Sequence, residues 1–316
     1  MTGEFAALKG LLARFGAPEP GEVWAGDDAA VLAGGIVVAV DPVVEGVHFL
    51  RSLTTLGDAG WKALARNVSD VAAMGAVPWC CVVSVVGAEE AELGQVYDGL
   101  LAAAAHWSCP VVGGDLASGP GLVVTVTALG RLPERSERPG GAELRREAPL
   151  LRSGAQPGDG VYVTRPLGWG AAGLRLLRAG SPGRAGPGEA GIAERAPHLG
   201  HPARWYARPV PSVEAALAAR TAGATAAIDI SDGLAQDLDH LAVASGVGLR
   251  LDHVPVAEGA TAEEALHGGD EYHLAFTCPD GGWVPGIRVG TCTTDPEERT
   301  LHGEPFAVTG GWEHRL

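Results

Sequence analysis

The sequence predicts an α/β (α+β) protein of two domains, and three observations carry that expectation. The chain has 316 residues, more than one small module needs. Strand-like β-branched runs alternate with stretches of helical periodicity in both halves. Between the halves, residues 132–141 read LPERSERPGG, a polar, Pro/Gly-rich stretch of the kind that joins domains. The division is drawn at 1–135 and 136–316.

The elements follow in order. Residues 5–15 have helical spacing, and 36–40 (IVVAV) form a β-branched run that ends at Asp41-Pro42. Residues 55–75 form a long helical pattern with Leu64, Val68, Val71 and Ala72 on one face. The apolar run 77–86 reads as a buried strand, strongest at 82–86. A second helix is expected over 89–106, then a short strand at 110–112 before Gly113-Gly114, and a strand over 122–129. The second half shows strands at 160–164, 226–230 and 248–251 and helices at 170–178, 212–222 and 231–245. Residues 179–200 are rich in Gly and Pro and read as a surface loop with room for a short helix.

Composition excludes several function classes. Hydrophobic residues make up 46% of the chain, enough for a real core. Acidic residues outnumber basic ones, 38 to 23, for a formal charge of −15. Nucleic acid and anionic membrane surfaces are therefore poor partners, since binding there rests on Lys and Arg. No apolar run is long enough for a membrane span, and residues 1–16 lack the pattern of a secretory signal. Five cysteines without a CxxC pair read as reduced thiols of a cytoplasmic protein.

The chemical signal is the placement of aspartates. Asp27-Asp28, Asp41, Asp70, Asp115, Asp229, Asp232 and Asp270 stand at the ends of apolar runs or beside glycine. Strand ends and Gly-rich turns bring backbone close to ligands. Converging carboxylates repel one another, and Mg²⁺ resolves this by bridging them to substrate phosphates. Singly, each aspartate also fits an ordinary turn or helix cap; Ser231 fits an N-cap, and Gly113-Gly114-Asp115 a turn. Lys62, Arg66 and Asp70 share a helix face, and Lys62 is one of only two lysines in the chain. No Walker A loop or protein-kinase motif set is present.

Several stretches, taken together, resemble the thiamine-monophosphate kinase family of the aminoimidazole-ribonucleotide-synthetase-like superfamily. They are GDDAAVL at 26–32, DPVVEGVHF at 41–49, GWKALARNVSDVAAMGA at 60–76 and GGD at 113–115. The second half adds RSGAQPGD at 152–159, IDISDGL at 228–234 and ALHGGDEY at 265–272. The resemblance implies that the chain phosphorylates thiamine monophosphate with ATP and Mg²⁺. It implies two α/β domains, with the N-terminal domains of two subunits sharing a β-barrel in a homodimer. It assigns Asp28, Asp41, Asp70, Asp115, Asp229 and Asp232 to several metal ions. Gly114, Asp115, Arg152 and Ser231 would contact ATP; His48, Asp270 and Trp312 would contact thiamine monophosphate, Trp312 by cation–π attraction.

Four departures from the family pattern stand out. Ala39-Val40 replaces a hydroxyl pair before Asp41. Leu116-Ala117 replaces Thr-Thr after Gly-Gly-Asp. Ser212 stands where the family has Arg, and Asp270-Glu271-Tyr272-His273 replaces Glu-Asp-Tyr-Glu. They motivate a second expectation, a non-catalytic or altered-specificity ATP-binding paralogue. Selenophosphate synthetase fits less well, because no cysteine precedes residue 80.

Overall fold

A computed structural model describes residues 10–12, 14–134, 147–179 and 201–308. Its first half is built on five strands: β1 (Ala30–Leu32), β2 (Ile36–Val44), β3 (Val77–Val86), β4 (Val111–Ala117) and β5 (Val123–Arg131). Their order across the sheet is β1-β2-β5-β3-β4. Neighbours are antiparallel except β3 and β4, which run parallel because helix α2 (Glu90–His106) carries the chain across. The sheet is open, with β4 as an exposed edge.

Alternation sets which face is buried. On β5, Val124, Val126 and Ala128 are fully buried while their neighbours are half-exposed. The buried face is covered by α1 (Leu56–Ala73) and α2. Thr55 and Asp58 form a capping box that starts α1. The two helices meet backbone to backbone: a Cβ on Gly60 would lie 2.0 Å from the Val96 carbonyl oxygen, and one on Gly99 1.7 Å from that of Gly57.

The second half forms a seven-stranded sheet in the order β12-β11-β8-β10-β6-β9-β7. Its strands are β6 (Gly160–Val163), β7 (Ala226–Ile230), β8 (Gly248–Leu251), β9 (His273–Cys278), β10 (Ile287–Thr293), β11 (Arg299–Leu301) and β12 (Glu304–Pro305). Its helices are α3 (Trp169–Ala179), α4 (Pro202–Ala207), α5 (Val213–Thr221), α6 (Leu234–Ser245) and α7 (Ala262–His267).

Helix α1 is the hinge of the site, because it touches both sheets. It covers β2 and β5 and also reaches β7 and β9. One apolar cluster runs from Val68 and Val126 to Val213, Ala227 and Phe276. Indole N–H groups fasten the halves: Trp61 donates to the Pro209 carbonyl at 2.8 Å and Trp107 to that of Pro211 at 3.3 Å. Arg208 adds an ion pair to the buried Asp58 at 2.5 Å.

The α/β class and most expected elements stand, with shifts that have physical reasons. β2 runs through Asp41-Pro42 to Val44. β1 pairs with it only as far as Val38, so Pro42 interrupts no second ladder. Gly113-Gly114-Asp115 is not a turn but part of β4. There a Cβ on Gly114 would lie 2.0 Å from the Val83 carbonyl oxygen, so close strand approach selects glycine. α6 begins at Leu234 after Gly233, leaving Ser231 and Asp232 in the loop ahead of it. Of the expected helix over 5–15, residues 10–12 are helical, and 5–9 and 13 lie outside the described residues. Most of the linker at 132–141 and of the loop at 179–200 also lies outside them. Among the described residues no helix is long and apolar enough to cross a membrane.

Candidate active site

Four of the six aspartates assigned to metal converge where α1 meets the two sheets. Asp28 lies in the loop before β1, Asp41 on β2, Asp70 near the end of α1 and Asp229 on β7. Asp41 pairs across the sheet with buried Val126, so its side chain is on the α1 face. Their charges act on one another. Burial pushes Asp229 up to about 8, and Asp28 and Asp41 add to the shift. Burial drives Asp70 well above the usual carboxylate range, with Asp229, Asp41 and Asp28 contributing.

Two arginines answer these carboxylates incompletely. Arg152 donates to Asp28 Oδ1 from Nε at 3.0 Å and Nη2 at 2.5 Å. Its backbone N–H donates to Asp27 Oδ2 at 3.1 Å. Arg66 Nε donates to Asp41 Oδ2 at 3.0 Å. Ser69 Oγ donates to Asp229 Oδ2 at 2.8 Å. Asp27, Asp28, Asp41, Asp70 and Asp229 thus share Arg66 and Arg152, and the five carboxyl groups cannot all ionise without further cations. Buried Asp28 Oδ2 has no hydrogen-bond partner. An orphaned carboxylate oxygen within such a cluster suits a hard divalent cation. Among the described residues no three His, Cys, Asp or Glu side chains are grouped to hold a metal alone. Mg²⁺ needs no such cage, because it is held through one or two carboxylates together with phosphates and water.

The loop after β7 is organised by a buried residue, Asp237. Its Oδ2 accepts the backbone N–H groups of Ser231, Asp232 and Gly233 at 3.0, 3.1 and 3.0 Å. Gln236 Nε2 donates to Asp232 Oδ2 at 3.3 Å. The Ser231 carbonyl accepts the Asp270 N–H at 2.9 Å, joining this loop to the turn before β9.

That turn forms the other end of the site. Asp270 and Tyr272 both have left-handed backbone, with φ of 62° and 53°. Asp270 Oδ2 accepts from Lys62 Nζ at 2.8 Å, and its Oδ1 accepts from the Tyr272 hydroxyl at 2.7 Å. Burial alone would raise Asp270, but Lys62 and Arg66 hold it below the usual carboxylate value. Lys62 Nζ also donates to the His48 carbonyl at 3.3 Å. His48 Nδ1 accepts the Val44 N–H at 3.0 Å, which leaves the ring proton on Nε2. His48 and Asp270 are therefore brought to one lysine. Trp312 lies outside the described residues.

Gly114 and Asp115 stand apart from this cluster. Asp115 is exposed on edge strand β4 and pairs in register with Ser84. That register places it on the sheet face opposite Asp41.

The comparisons with known proteins decide the family. A family model described as AIR synthase related protein, N-terminal domain, matches residues 26–132. A thiamine-monophosphate kinase of Mycobacterium tuberculosis is 33% identical over 98% of this chain and 91% of its own. One from Salmonella typhimurium is 36% identical over 92% of this chain and 90% of its own. The chain belongs to the thiamine-monophosphate kinase family. A solved structure described as AaThiL complexed with AMPPCP and TMP superposes with a TM-score of 0.79 at 28% identity, covering 99% of this chain and 97% of that one.

Against that family the four departures have distinct settings. Ala39 is buried on the Asp41 face, whereas Val40 is 60% exposed on the opposite face, so only residue 39 points toward the aspartates. Leu116 is exposed on β4. Ser212 caps α5 by accepting the Ala215 N–H at 3.2 Å, a structural role in place of an arginine. His273 is buried, with neither ring nitrogen hydrogen-bonded, against Trp205 at 4.6 Å between ring centroids.

Residue-by-residue reading of the sequence gave Asp27 and Ser69 no role of their own in the site and missed Asp237 and Tyr272. Ser69 carried a signal: Lys62, Arg66 and Ser69 lie on one face of α1 at helical spacing. Asp237 carried another, an acidic residue in the first turn of the helix that follows Ser-Asp-Gly.

Proposed function

We propose that this chain transfers the γ-phosphate of ATP to thiamine monophosphate, giving thiamine diphosphate. The observation that carries the reading is family likeness over almost the whole chain, joined to a carboxylate excess at the junction of the two sheets. Asp28, Asp41, Asp70, Asp229 and Asp232 would hold Mg²⁺, without Asp115, which lies on the opposite face of the first sheet. When bound, Mg²⁺ neutralises charge on the phosphates of ATP. Arg152 and Ser231 would contact ATP, and His48, Asp270 and Trp312 would contact thiamine monophosphate.

The acceptor is a phosphate monoester, whose second pKa lies near about 6, so it is largely dianionic at neutral pH. It needs no strong general base, and the chain's task is to align two anions and offset their repulsion. Arg152 and the loop that Asp237 holds would contribute to that alignment. We assign direct in-line transfer without a phospho-enzyme. Inversion at a chiral γ-phosphate supports it, and retention contradicts it.

The same reading divides the chain into domains 1–135 and 136–316, places it in the cytoplasm, and pairs two copies through their first sheets into a shared barrel. The outward face of the first sheet supports that pairing: Val40, Trp79 and Val82 are all exposed there. The direct test of function is an assay with ATP, Mg²⁺ and thiamine monophosphate, following thiamine diphosphate. No turnover at saturating Mg²⁺, with ATP binding intact, would instead establish the paralogue that the missing hydroxyl at Ala39 motivates.

A further inference from the structure

We propose that Lys62 is a positioning residue for the acceptor substrate, fixing His48 and Asp270 at a set separation without touching the substrate itself. The inference rests on the reading that these two residues meet thiamine monophosphate. It starts from an anomaly. Lys62 is only 2% exposed, among the largest fully buried side chains of the protein. Lysine is rarely buried unless its charge is answered on all sides.

Here it is. The ammonium group has three N–H donors. Asp270 Oδ2 takes a bond at 2.8 Å and the His48 carbonyl one at 3.3 Å, and the Tyr206 ring lies under Nζ at 4.2 Å from its centroid. With every direction used, Lys62 cannot also grip a phosphate. Its partners come from three separate segments: the turn after β2, helix α4 and the turn before β9. The first belongs to one half of the chain and the other two to the second half.

Asp270 shows what the tether accomplishes. Asp270 sits at a φ of 62°, in the left-handed region that aspartate tolerates, and three contacts fix it there. Lys62 holds one carboxylate oxygen, the Tyr272 hydroxyl holds the other, and the Ser231 carbonyl holds the Asp270 N–H. Yet the Asp270 side chain is 26% exposed, so the fixed carboxylate still presents an open side. A rigid, ionised carboxylate suits the cationic ring of thiamine monophosphate. A merely structural ion pair would affect stability without separating the two substrates.

The experiment is steady-state kinetics on the full chain with ATP, Mg²⁺ and thiamine monophosphate, for Lys62→Met, Asp270→Asn and the double variant, with melting curves alongside. Lys62→Met is expected to raise KM for thiamine monophosphate about tenfold and to leave KM for ATP within about twofold. Asp270→Asn should raise the same KM, and adding Lys62→Met to it should change that value by less than about threefold, because both act through one carboxylate. Should Lys62→Met fail to fold, with a buried carboxylate left unpaired, the neutral double variant decides alone against Asp270→Asn. An unchanged KM in Lys62→Met beside a raised one in Asp270→Asn overturns the role of Lys62 and leaves the site reading intact. Additive effects in the double variant also overturn it. An unchanged KM in Asp270→Asn overturns the site reading and this inference with it.

Discussion

The two ends of the site are built on opposite electrostatic plans. At the Asp28–Asp70–Asp229 end, carboxyl groups outnumber cations and resist ionisation, and a buried oxygen lacks a partner. At the Lys62–Asp270–Tyr272 end, both carboxylate oxygens accept a hydrogen bond and the ammonium group is surrounded by acceptors. On the proposed reading, the first is an incomplete site that divalent cations would complete. The second is finished in the protein alone, which is what a rigid recognition surface requires. Both hang on α1, whose residues 62, 66, 69 and 70 serve one end or the other.

The largest effect should follow from breaking the incomplete end. Asp229→Asn keeps shape and removes a carboxyl group that could ionise onto a cation, and turnover should fall by about 10³-fold while the fold persists. In the absence of Mg²⁺ the same variant should melt higher than wild type, because crowding among carboxylates is relieved; a stability gain of about 1 kcal/mol is expected by calorimetry. A lower melting temperature would mean that Asp229 is held for structure.

A smaller effect is expected at the finished end. Tyr272→Phe removes one donor to Asp270 and should cost about 1 kcal/mol of stability by denaturant titration. KM for thiamine monophosphate should rise a few-fold, with KM for ATP unchanged.

A third prediction concerns pH. Glu271 is fully buried, and burial raises it to about 8. Its native pKa lies above its unfolded one, so the native state binds more protons through the window from about 4.3 to 8. Its contribution to stability is complete below that window and is lost as pH rises through it, at up to about 1.4 kcal/mol per pH unit. Glu271→Gln should flatten the fall of stability between about pH 5 and 8, measured by melting at several pH values. An unaltered slope would show that Glu271 is not neutral in the fold.

What was legible in the sequence follows the same contrast. Asp28, Asp41, Asp70 and Asp229 could be singled out because each stands beside an apolar run or a glycine, and they do converge, although β2 runs on past Asp41. Lys62 was visible only as a rare residue type. Its role depends on contacts 208 positions away in the chain, which no local pattern encodes. Asp115 shows the limit of motif reading, since parallel pairing with β3 places Gly-Gly-Asp on an edge strand and not in a turn. Strands β9 to β12 escaped because β9 is buried at every position, a register shift between Arg288 and Gly290 breaks the alternation of β10, and β11 and β12 are only three and two residues long.

The contrast itself is tested most directly by the melting temperature of the metal-free protein titrated with Mg²⁺. Wild type and Tyr272→Phe should shift upward by the same amount, about 2.7 kcal/mol of added stability at a hundredfold excess over Kd. Asp229→Asn should shift by much less. An equal shift in Asp229→Asn, or a loss of the shift in Tyr272→Phe, would contradict the assignment of Mg²⁺ to the unfinished end of the site.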